Sequence, residues 1–197
     1  MILLIHRDTV KAGCEAAYKT IEKDAARCCA ELNCTHAHAA IEALNGTRQV
    51  WWLNQFASDE DKQRVADGFA GNEPLMAALG GIRQRRQDVI EHDFEVWATY
   101  RADLSGAPLA IAGARFFAVV VTNGDPPIPG AVFETAEGQR YVFRSTAMRD
   151  EAYRIAAAAG PHATIFAVRP YWGMPAAEWI GADPEFWKQS PKYARLA

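Results

Sequence analysis

The sequence predicts a mixed α+β protein made of two tandem copies of a split β-α-β unit. Strand-type and helix-type hydrophobic patterns alternate along the chain, the N-terminal half follows the order βαββαβ, and a hairpin motif of that half recurs in the other. A chain of 197 residues, half of them apolar, can bury a core that both units share.

The first unit opens with a strand over residues 2–8, which is followed by an amphipathic helix. The helix is indicated by apolar residues that recur at steps of four and three, as one buried stripe requires. These residues are Cys14, Tyr18, Ile21, Ala25, Cys28 and Leu32.

A hairpin and two further helices complete the first unit. Residues 37–44 and 47–56 predict strands joined by a two-residue turn at Asn45-Gly46, a pair typical of type I′ turns. Ser58 followed by Asp61 resembles a capping box and begins a helix. Asn72 caps another after the interruption at Pro74, and residues 93–101 alternate as the closing strand.

The second unit follows a connection over residues 103–113 and lacks its first helix. A strand over 115–123 leads into a loop with three prolines, which replaces that helix. A hairpin around Glu137-Gly138, a helix from Met148 and a strand over 163–171 follow. The predicted domains are residues 1–103 and a degenerate repeat over 114–197, whose tail carries Trp172, Trp179, Phe186 and Trp187.

The two hairpins match in sequence. The pattern Ala39-x-Ile41-Glu42-x-x-x-Gly46-x-Arg48-x-Val50-Trp51 recurs as Ala131-x-Phe133-Glu134-x-x-x-Gly138-x-Arg140-x-Val142-Phe143. Because the elements around both copies also follow the same order, we interpret the match as an internal duplication.

With these elements the chain resembles the dimeric α/β-barrel superfamily, which includes antibiotic-biosynthesis-type monooxygenases, muconolactone isomerase-like and NIPSNAP-like proteins and, as tandem repeats, chlorite dismutase-like proteins. The most family-like stretch is Val50-Trp51-Trp52-Leu53 leading into the Ser58 helix. The resemblance implies two ferredoxin-like repeats whose antiparallel sheets pack as an α/β barrel, with helices outside and any ligand between the sheets. It supplies no catalytic signature, and His162 alone beside Gly-Pro offers no heme ligand, so no cofactor is expected.

The predicted turn sets which residues share a face of the first hairpin. A two-residue turn places His38, Ala40, Glu42, Gln49, Trp51 and Leu53 on one face and Ala39, Ile41, Val50 and Trp52 on the other. The first face mixes polar and aromatic groups, which suits a ligand cavity between the sheets. The same reasoning groups Val132, Glu134, Tyr141 and Phe143 in the second hairpin, and strand alternation adds His6 and Trp97.

From this face we predict Glu42, His38 and His6 as acid/base residues, because desolvation shifts the pKa of enclosed carboxylates and imidazoles. The predicted ligand-binding residues are Trp51, Trp97, Gln49, Glu134, Tyr141 and Phe143. The alternative is that both glutamates lie solvated at an exposed rim and that the histidines are structural.

Five metal-ligand residues, Cys28, Cys29, Cys34, His36 and His38, lie close together in the sequence. Their spacing contains no paired C-x-x-C, so we expect no metal, with a zinc site as the alternative. Because the sequence shows no secretion signal, we also expect all four cysteines to be reduced.

A net charge of −3 and a pI near 6.0 argue against nucleic-acid or membrane partners. Arg83, Arg85 and Arg86 are interpreted as a solvated helix end, with a binding patch as the alternative. The apolar start is too short for a signal or a membrane span, which favours a cytoplasmic protein.

We therefore expect a small-molecule-binding barrel protein, as a monomer or homodimer, acting as a cofactor-independent monooxygenase or isomerase. The alternative is a non-catalytic structural or interaction protein of the same fold. An enclosed cavity with a desolvated Glu or His favours the first, and an interior filled by Trp and Phe favours the second.

Overall fold

The computed structural model describes residues 1–193, which form eight strands and six helices. The first half contains β1 (Ile2–Val10), α1 (Glu15–Glu31), β2 (His38–Ala43), β3 (Gln49–Phe56), α2 (Asp59–Ala70), α3 (Glu73–Gln87) and β4 (Ile90–Tyr100). The second half contains β5 (Phe116–Thr122), β6 (Ala131–Glu134), β7 (Arg140–Thr146), α4 (Arg149–Ala159), β8 (Ala163–Val168), α5 (Ala177–Ala182) and α6 (Pro184–Trp187).

The strands form one closed antiparallel barrel in the order β1-β3-β2-β8-β5-β7-β6-β4. Around the barrel each half contributes its strands in the same sequence, β4-β1-β3-β2 and β8-β5-β7-β6, and the halves meet at the β2–β8 and β4–β6 pairings. The predicted fold class is confirmed, including the missing helix between β5 and β6.

Large apolar side chains from both halves fill the barrel interior. Fully buried members are Leu3, Ile5, Ile41, Leu53, Phe117, Phe133, Tyr141, Phe143 and Phe166. Trp179 and Trp187 of the aromatic tail pack against the same cluster. The interior is therefore a packed core.

The helices lie outside the barrel and begin at the predicted caps. Ser58 Oγ accepts a hydrogen bond from the Asp61 N–H at the start of α2, and the Asp61 carboxylate accepts one from the Ala57 N–H. Asn72 caps α3 in the same way by accepting from the Leu75 N–H. No helix within residues 1–193 is both long and apolar enough to cross a membrane.

The predicted register of the first hairpin is wrong by one residue. Glu42 pairs with Val50 and Ile41 with Trp51, so an odd number of residues separates the paired positions. The connection is longer than a two-residue turn, and both Gly46 and Arg48 adopt positive φ. Trp51 faces the interior and Val50 and Trp52 face the helices as predicted. Ile41, however, faces the interior.

The side chains of β2, the other strand of that hairpin, consequently face the sides opposite to those predicted. Glu42, Ala40 and His38 lie on the helix side with Trp52, because one extra residue in the connection moves a whole strand to the other face.

The second hairpin differs from its prediction in the same way. Phe133 pairs with Tyr141 and Glu134 with Arg140 across a connection in which Gly138 has a φ of +83°. This is the three-residue geometry in which a glycine closes a type I turn. Phe133, Tyr141 and Phe143 thus face the interior, whereas Glu134 faces outward.

Candidate functional site

A cavity of about 680 Å³ lies between the outer face of the first-half sheet and helices α1, α2 and α3. We call it the helix-side cavity. Its apolar wall includes Leu4, Trp52, Phe56, Phe69, Leu79, Ile82, Trp97 and Trp172, and its polar groups include His6, Glu22, His36, His38, Asn54, Arg86 and Glu95. A groove of about 590 Å³ beside Lys23 and Tyr171 lies at the surface and is lined by no buried titratable side chain.

Strand alternation explains why polar groups reach this cavity. In β1, Leu3 and Ile5 enter the barrel core, so Leu4, His6 and Asp8 project toward the helices. The polar residues at alternate positions of β1 therefore lie on the helix side of the sheet, where the helices leave space for a cavity.

His6 and Asp8 form a hydrogen-bonded pair beside the cavity. His6 Nε2 lies 3.0 Å from Asp8 Oδ1, and the Tyr18 hydroxyl donates to Asp8 Oδ2 at 2.6 Å. Burial acts to lower the pKa of His6, but the hydrogen bond and the charge of Asp8 outweigh it, so the pKa of His6 is raised. His6 Nδ1 lies 3.6 Å from the Glu95 carboxylate.

Asp8 is fully buried and nevertheless ionised. Burial favours its neutral form, but the hydrogen bond and charge of His6, with the charge of Arg86, lower the pKa of Asp8. The pair therefore combines an acid that holds its charge with an imidazole that binds a proton more readily than usual.

Glu22 and Arg86 form a second charged pair beneath the cavity. Burial raises the pKa of Glu22 to about 7, although the Arg86 guanidinium acts in the opposite direction. Burial also disfavours the charge of Arg86, but Glu22, Asp8 and Tyr18 together raise the pKa of Arg86. Arg86 is consequently a half-buried structural cation, and the interpretation of all three arginines as a solvated helix end is wrong for this residue.

His38 lies on β2 beside Trp52, with ring centroids 5.7 Å apart. Burial lowers the pKa of His38 to about 3, and the neighbouring His36 acts in the same direction. His36 stacks on Phe56 at 4.7 Å, and burial also lowers its pKa. Both imidazoles are therefore neutral at physiological pH.

The structure separates the predicted site residues into two groups. His6, His38 and Trp97 line the helix-side cavity. Trp51, Tyr141 and Phe143 belong to the barrel core, and Gln49 lies beside them, accepting a hydrogen bond from Trp51 Nε1 at 3.2 Å. The predicted cavity between the sheets is thus a filled interior.

The two predicted glutamates lie outside both groups. Glu42 accepts a hydrogen bond from Arg169 Nε at 2.5 Å and lies 3.8 Å from Lys19 Nζ. Glu134 pairs with Arg140 at 2.6 Å and with Arg101, and the hydrogen bond from Arg140 is the main cause that lowers the pKa of Glu134. The prediction that the two glutamates face a ligand between the sheets is wrong. Each hairpin connection differs in length from a two-residue turn, and this places both glutamates on the outer side of the barrel.

Sequence reasoning missed Asp8, Glu22 and Arg86. Asp8 carried a usable signal, since it shares with His6 the minor, polar face of a short apolar strand. Glu22 and Arg86 come together only through the packing of α1 against α3, which no local pattern records.

Within residues 1–193 no group of three or more His, Cys, Asp or Glu side chains is arranged to hold a metal ion. All four cysteines carry free thiols, of which Cys29 and Cys34 are buried. Cys14 and Cys28, which the periodicity placed in the buried stripe, are half-buried.

The second half presents an apolar surface where the first half has its polar cluster. On the outer face of β5, Ala118 and Val120 take the strand positions at which β1 carries His6 and Asp8. Ala152 and Ala156 of α4 pack directly on Ala118 and Ile165. Small residues allow this close approach, so the helix covers the sheet where the first half leaves a cavity.

Scanning the protein-family models gives no match for this chain, and no curated protein matches it. Among solved structures, a putative monooxygenase from Lactobacillus acidophilus NCFM is 10% identical with a TM-score of 0.50, and the match covers 94% of this chain and 88% of that one.

Two NIPSNAP proteins, from Burkholderia xenovorans and Agrobacterium tumefaciens, are each 14% identical. They cover 52% and 55% of this chain and 96% and 98% of their own, with TM-scores of 0.41 and 0.42. The likeness that extends over nearly the whole chain shows that this polypeptide shares the fold of that putative monooxygenase, a closed eight-strand antiparallel barrel with helices outside.

Proposed function

We propose that this chain binds an enolisable small molecule in the helix-side cavity and removes a proton from one of its carbon atoms. That step begins both the cofactor-independent monooxygenase and the isomerase reactions predicted from the sequence. The observation that carries the proposal is the His6–Asp8 pair, a histidine with a raised pKa at the wall of a largely apolar cavity.

His6 is the proposed base. When Asp8 accepts the hydrogen bond from Nε2–H, the neutral ring keeps its free electron pair on Nδ1. Asp8 fixes this tautomer and stabilises the imidazolium that forms, and Glu95 at 3.6 Å from Nδ1 adds to that stabilisation. A raised pKa makes the His6 imidazole a stronger base for the proton transfer.

His38 is the proposed partner for the ligand's oxygen. Burial keeps the His38 ring neutral, and its single N–H, which is directed toward the His36 backbone, turns to the oxygen of a bound ligand. A neutral imidazole that donates to a carbonyl oxygen stabilises the enolate that develops when the proton leaves. Arg86, held by Glu22, adds positive charge beneath the same cavity.

The apolar wall favours a flat ligand. Trp52, Phe56 and Trp97 present aromatic surfaces, and Phe56 and Trp97 lie with ring centroids 5.8 Å apart. Such surfaces bind planar rings by stacking, and a bound ring displaces water from the aromatic wall.

The enolate has two productive outcomes. Return of the proton to a different carbon completes an isomerisation. Reaction with O₂ converts a CH₂ group into a carbonyl and releases one water, so that all atoms of O₂ are accounted for. The putative monooxygenase among the solved structures directs the first assay toward oxygen, although that likeness concerns the fold.

The first experiment uses anthrone, an enolisable tricyclic ketone, without added cofactor. Exchange of its CH₂ protons in anaerobic D₂O measures proton removal, and oxygen uptake measures the second step. We expect the wild type to accelerate the exchange and His6→Gln to lose about 100-fold of that acceleration. His162→Gln, which alters an exposed histidine of the second half, is the matched control and should keep the full rate.

The alternative function, a non-catalytic structural or interaction protein, is favoured by the filled barrel interior. Under that alternative, anthrone and smaller enolisable ketones leave the tryptophan fluorescence unchanged and exchange at the uncatalysed rate. Equal exchange rates for His6→Gln and the wild type would also reject His6 as the base.

A further inference from the structure

The C-terminal end of α1 is closed by a tight backbone turn. The N–H of Cys34 donates to the carbonyl oxygen of Cys29 at 2.9 Å, and Asn33 between them has a φ of +59°. A left-handed residue after the helix with a hydrogen bond spanning it is the Schellman motif, in which asparagine is the usual substitute for glycine.

This motif brings two thiols into contact. The residue after the left-handed position and the residue three places inside the helix end are the pair whose side chains touch in a Schellman turn. Here those residues are Cys34 and Cys29, which lie together in one buried cluster, and Cys34 Sγ is 3.9 Å from the His36 carbonyl oxygen. Leu75 of α3 and Met174 pack around them and bury both side chains.

The contact lowers the pKa of one thiol and raises the pKa of the other. The Cys29 thiol donates to Cys34, which is the main reason why the pKa of Cys34 falls to about 7, against the effect of burial. The same hydrogen bond and burial raise the pKa of Cys29. Of the two thiols, Cys34 is therefore the one that loses its proton more readily, and Cys29 is the one that keeps it.

A small oxidant has a route to Cys29, which lines the helix-side cavity, and Cys34 lies in the same buried cluster directly behind it. Cys28 is a poorer partner for Cys34. Cys28 packs at the edge of the same cluster, but successive helix positions point about 100° apart, and Cys29 is the residue three places inside the helix end. Cys28 is half-buried rather than buried.

We propose that Cys29 and Cys34 form a redox-active dithiol that closes to a disulfide when the protein meets a hydroperoxide. Both S–H bonds and the O–O bond break, and one S–S bond forms. The two sulfurs together lose two electrons and two protons. With hydrogen peroxide as oxidant, these reduce and protonate the peroxide oxygens to two molecules of water. Before the protein meets an oxidant both thiols are reduced, as predicted for all four cysteines.

The test is peptide mapping of the intact, folded protein after treatment with hydrogen peroxide. Trypsin cleaves after Arg27, and a glutamate-specific protease cleaves after Glu31, which lies between the two cysteines. The disulfide then joins two separate peptides, so that a covalently linked pair under non-reducing conditions identifies it. We expect a mass loss of about 2 Da, reversed by dithiothreitol, as loss of two hydrogens requires.

Two serine variants assign the link. Cys28→Ser should form the same linked pair, whereas Cys29→Ser should yield unlinked peptides. Cys14→Ser, at the other end of α1, is the control and should behave as wild type.

Three results would overturn the proposal: peptides that stay unlinked in the wild type, a link that depends on Cys28, or irreversible sulfinic acid as the first product. Cys28→Ser changes only a half-buried position and decides the matter even where a serine at a buried position prevents folding, because its peptide of residues 28–31 contains Cys29 alone. This test does not measure activity toward anthrone. The redox proposal and the proposed function can therefore each be rejected without the other.

Discussion

Glu22 and Arg86 meet in a bidentate ion pair, with Arg86 Nε 2.6 Å from Glu22 Oε1 and Arg86 Nη2 2.8 Å from Glu22 Oε2. The pair joins α1 to α3, and Arg86 Nε also lies 3.8 Å from Asp8 of β1. Two parallel hydrogen bonds between charged groups fix the guanidinium plane as well as its position. The pair thereby holds the cavity's helices at a set distance from the sheet.

Arg86→Ala should lower the free energy of unfolding by about 3–5 kcal/mol, because it leaves buried carboxylates without their cation. Arg85→Ala is the matched control at the adjacent position. The Arg85 guanidinium is half-exposed and pairs with Asp24, and loss of a surface pair costs about 0–1 kcal/mol. Urea unfolding at pH 7 measures both. Equal midpoints for the two variants would contradict the structural role of Arg86.

The two adjacent tryptophans of β3 should differ in their effects. Trp51 is buried in the barrel core against Phe166, with ring centroids 4.7 Å apart, whereas Trp52 borders the helix-side cavity. Trp51→Ala should destabilise the fold by about 3–5 kcal/mol. Trp52→Ala should cost less and should instead weaken anthrone binding through lost stacking area. Thermal melts and fluorescence titration measure these effects, and the reverse pattern would place the ligand inside the barrel.

How far the sequence predicts this molecule depends on the range of the interactions involved. The order of the elements, the caps at Ser58 and Asn72 and the missing helix are local, and they were predictable from short patterns. The faces of β2 and β6 were not, because Asn45-Gly46 and Glu137-Gly138 are compatible with connections of different length. One residue of difference moved Glu42 and Glu134 to the outer face.

The candidate site was predictable only in part for a related reason. His6 and His38 are visible as polar residues in apolar strands, but their partners come from distant segments. The contact of Glu22 with Arg86 and the hydrogen bond of Tyr18 to Asp8 depend on where α1 lies on the sheet. A barrel that fills its own interior with Trp51, Tyr141 and Phe143 moves the cavity to the other side of the sheet.

His38 should make the protein sensitive to acid. Its folded pKa is about 3, so below an unfolded pKa near 6.5 the unfolded chain gains a proton that the folded chain refuses. Stability therefore falls as pH falls from about 6.5 toward 3, by up to about 1.4 kcal/mol per pH unit. His6 acts oppositely, since its raised pKa adds stability that is fully present below 6.5 and lost as pH rises through the folded value.

Urea midpoints of His38→Gln and wild type at pH 4.5 and 7.5 isolate the contribution of His38. The variant should lose less stability on acidification than the wild type. His36 also has a lowered pKa and titrates in the same direction, so His36→Gln is the companion variant and should show a smaller effect. Parallel pH profiles for His38→Gln and wild type would show that His38 is protonated in the folded state.

Helix α2 should open before the rest of the fold. None of its residues is fully buried, whereas α1 buries Tyr18, Ile21, Glu22, Ala25, Ala26, Cys29 and Ala30. Val65 and Phe69 of α2 contribute to the cavity wall, so opening this helix exposes the cavity to ligand. Elements with little buried apolar surface open locally at a lower free energy than the core.

Hydrogen exchange of backbone amides tests this order of opening. In the wild type the α2 amides should exchange faster than those of α1. Ser58→Ala removes the N-cap acceptor for the Asp61 N–H, at a cost of about 1 kcal/mol, and should speed α2 exchange by roughly fivefold. The α1 amides serve as the internal control and should keep their rates, because α1 does not depend on that cap. Anthrone bound in the cavity should slow α2 exchange by holding Val65 and Phe69 in place. Equal acceleration of α1 and α2 in Ser58→Ala would show that the two helices open as one unit.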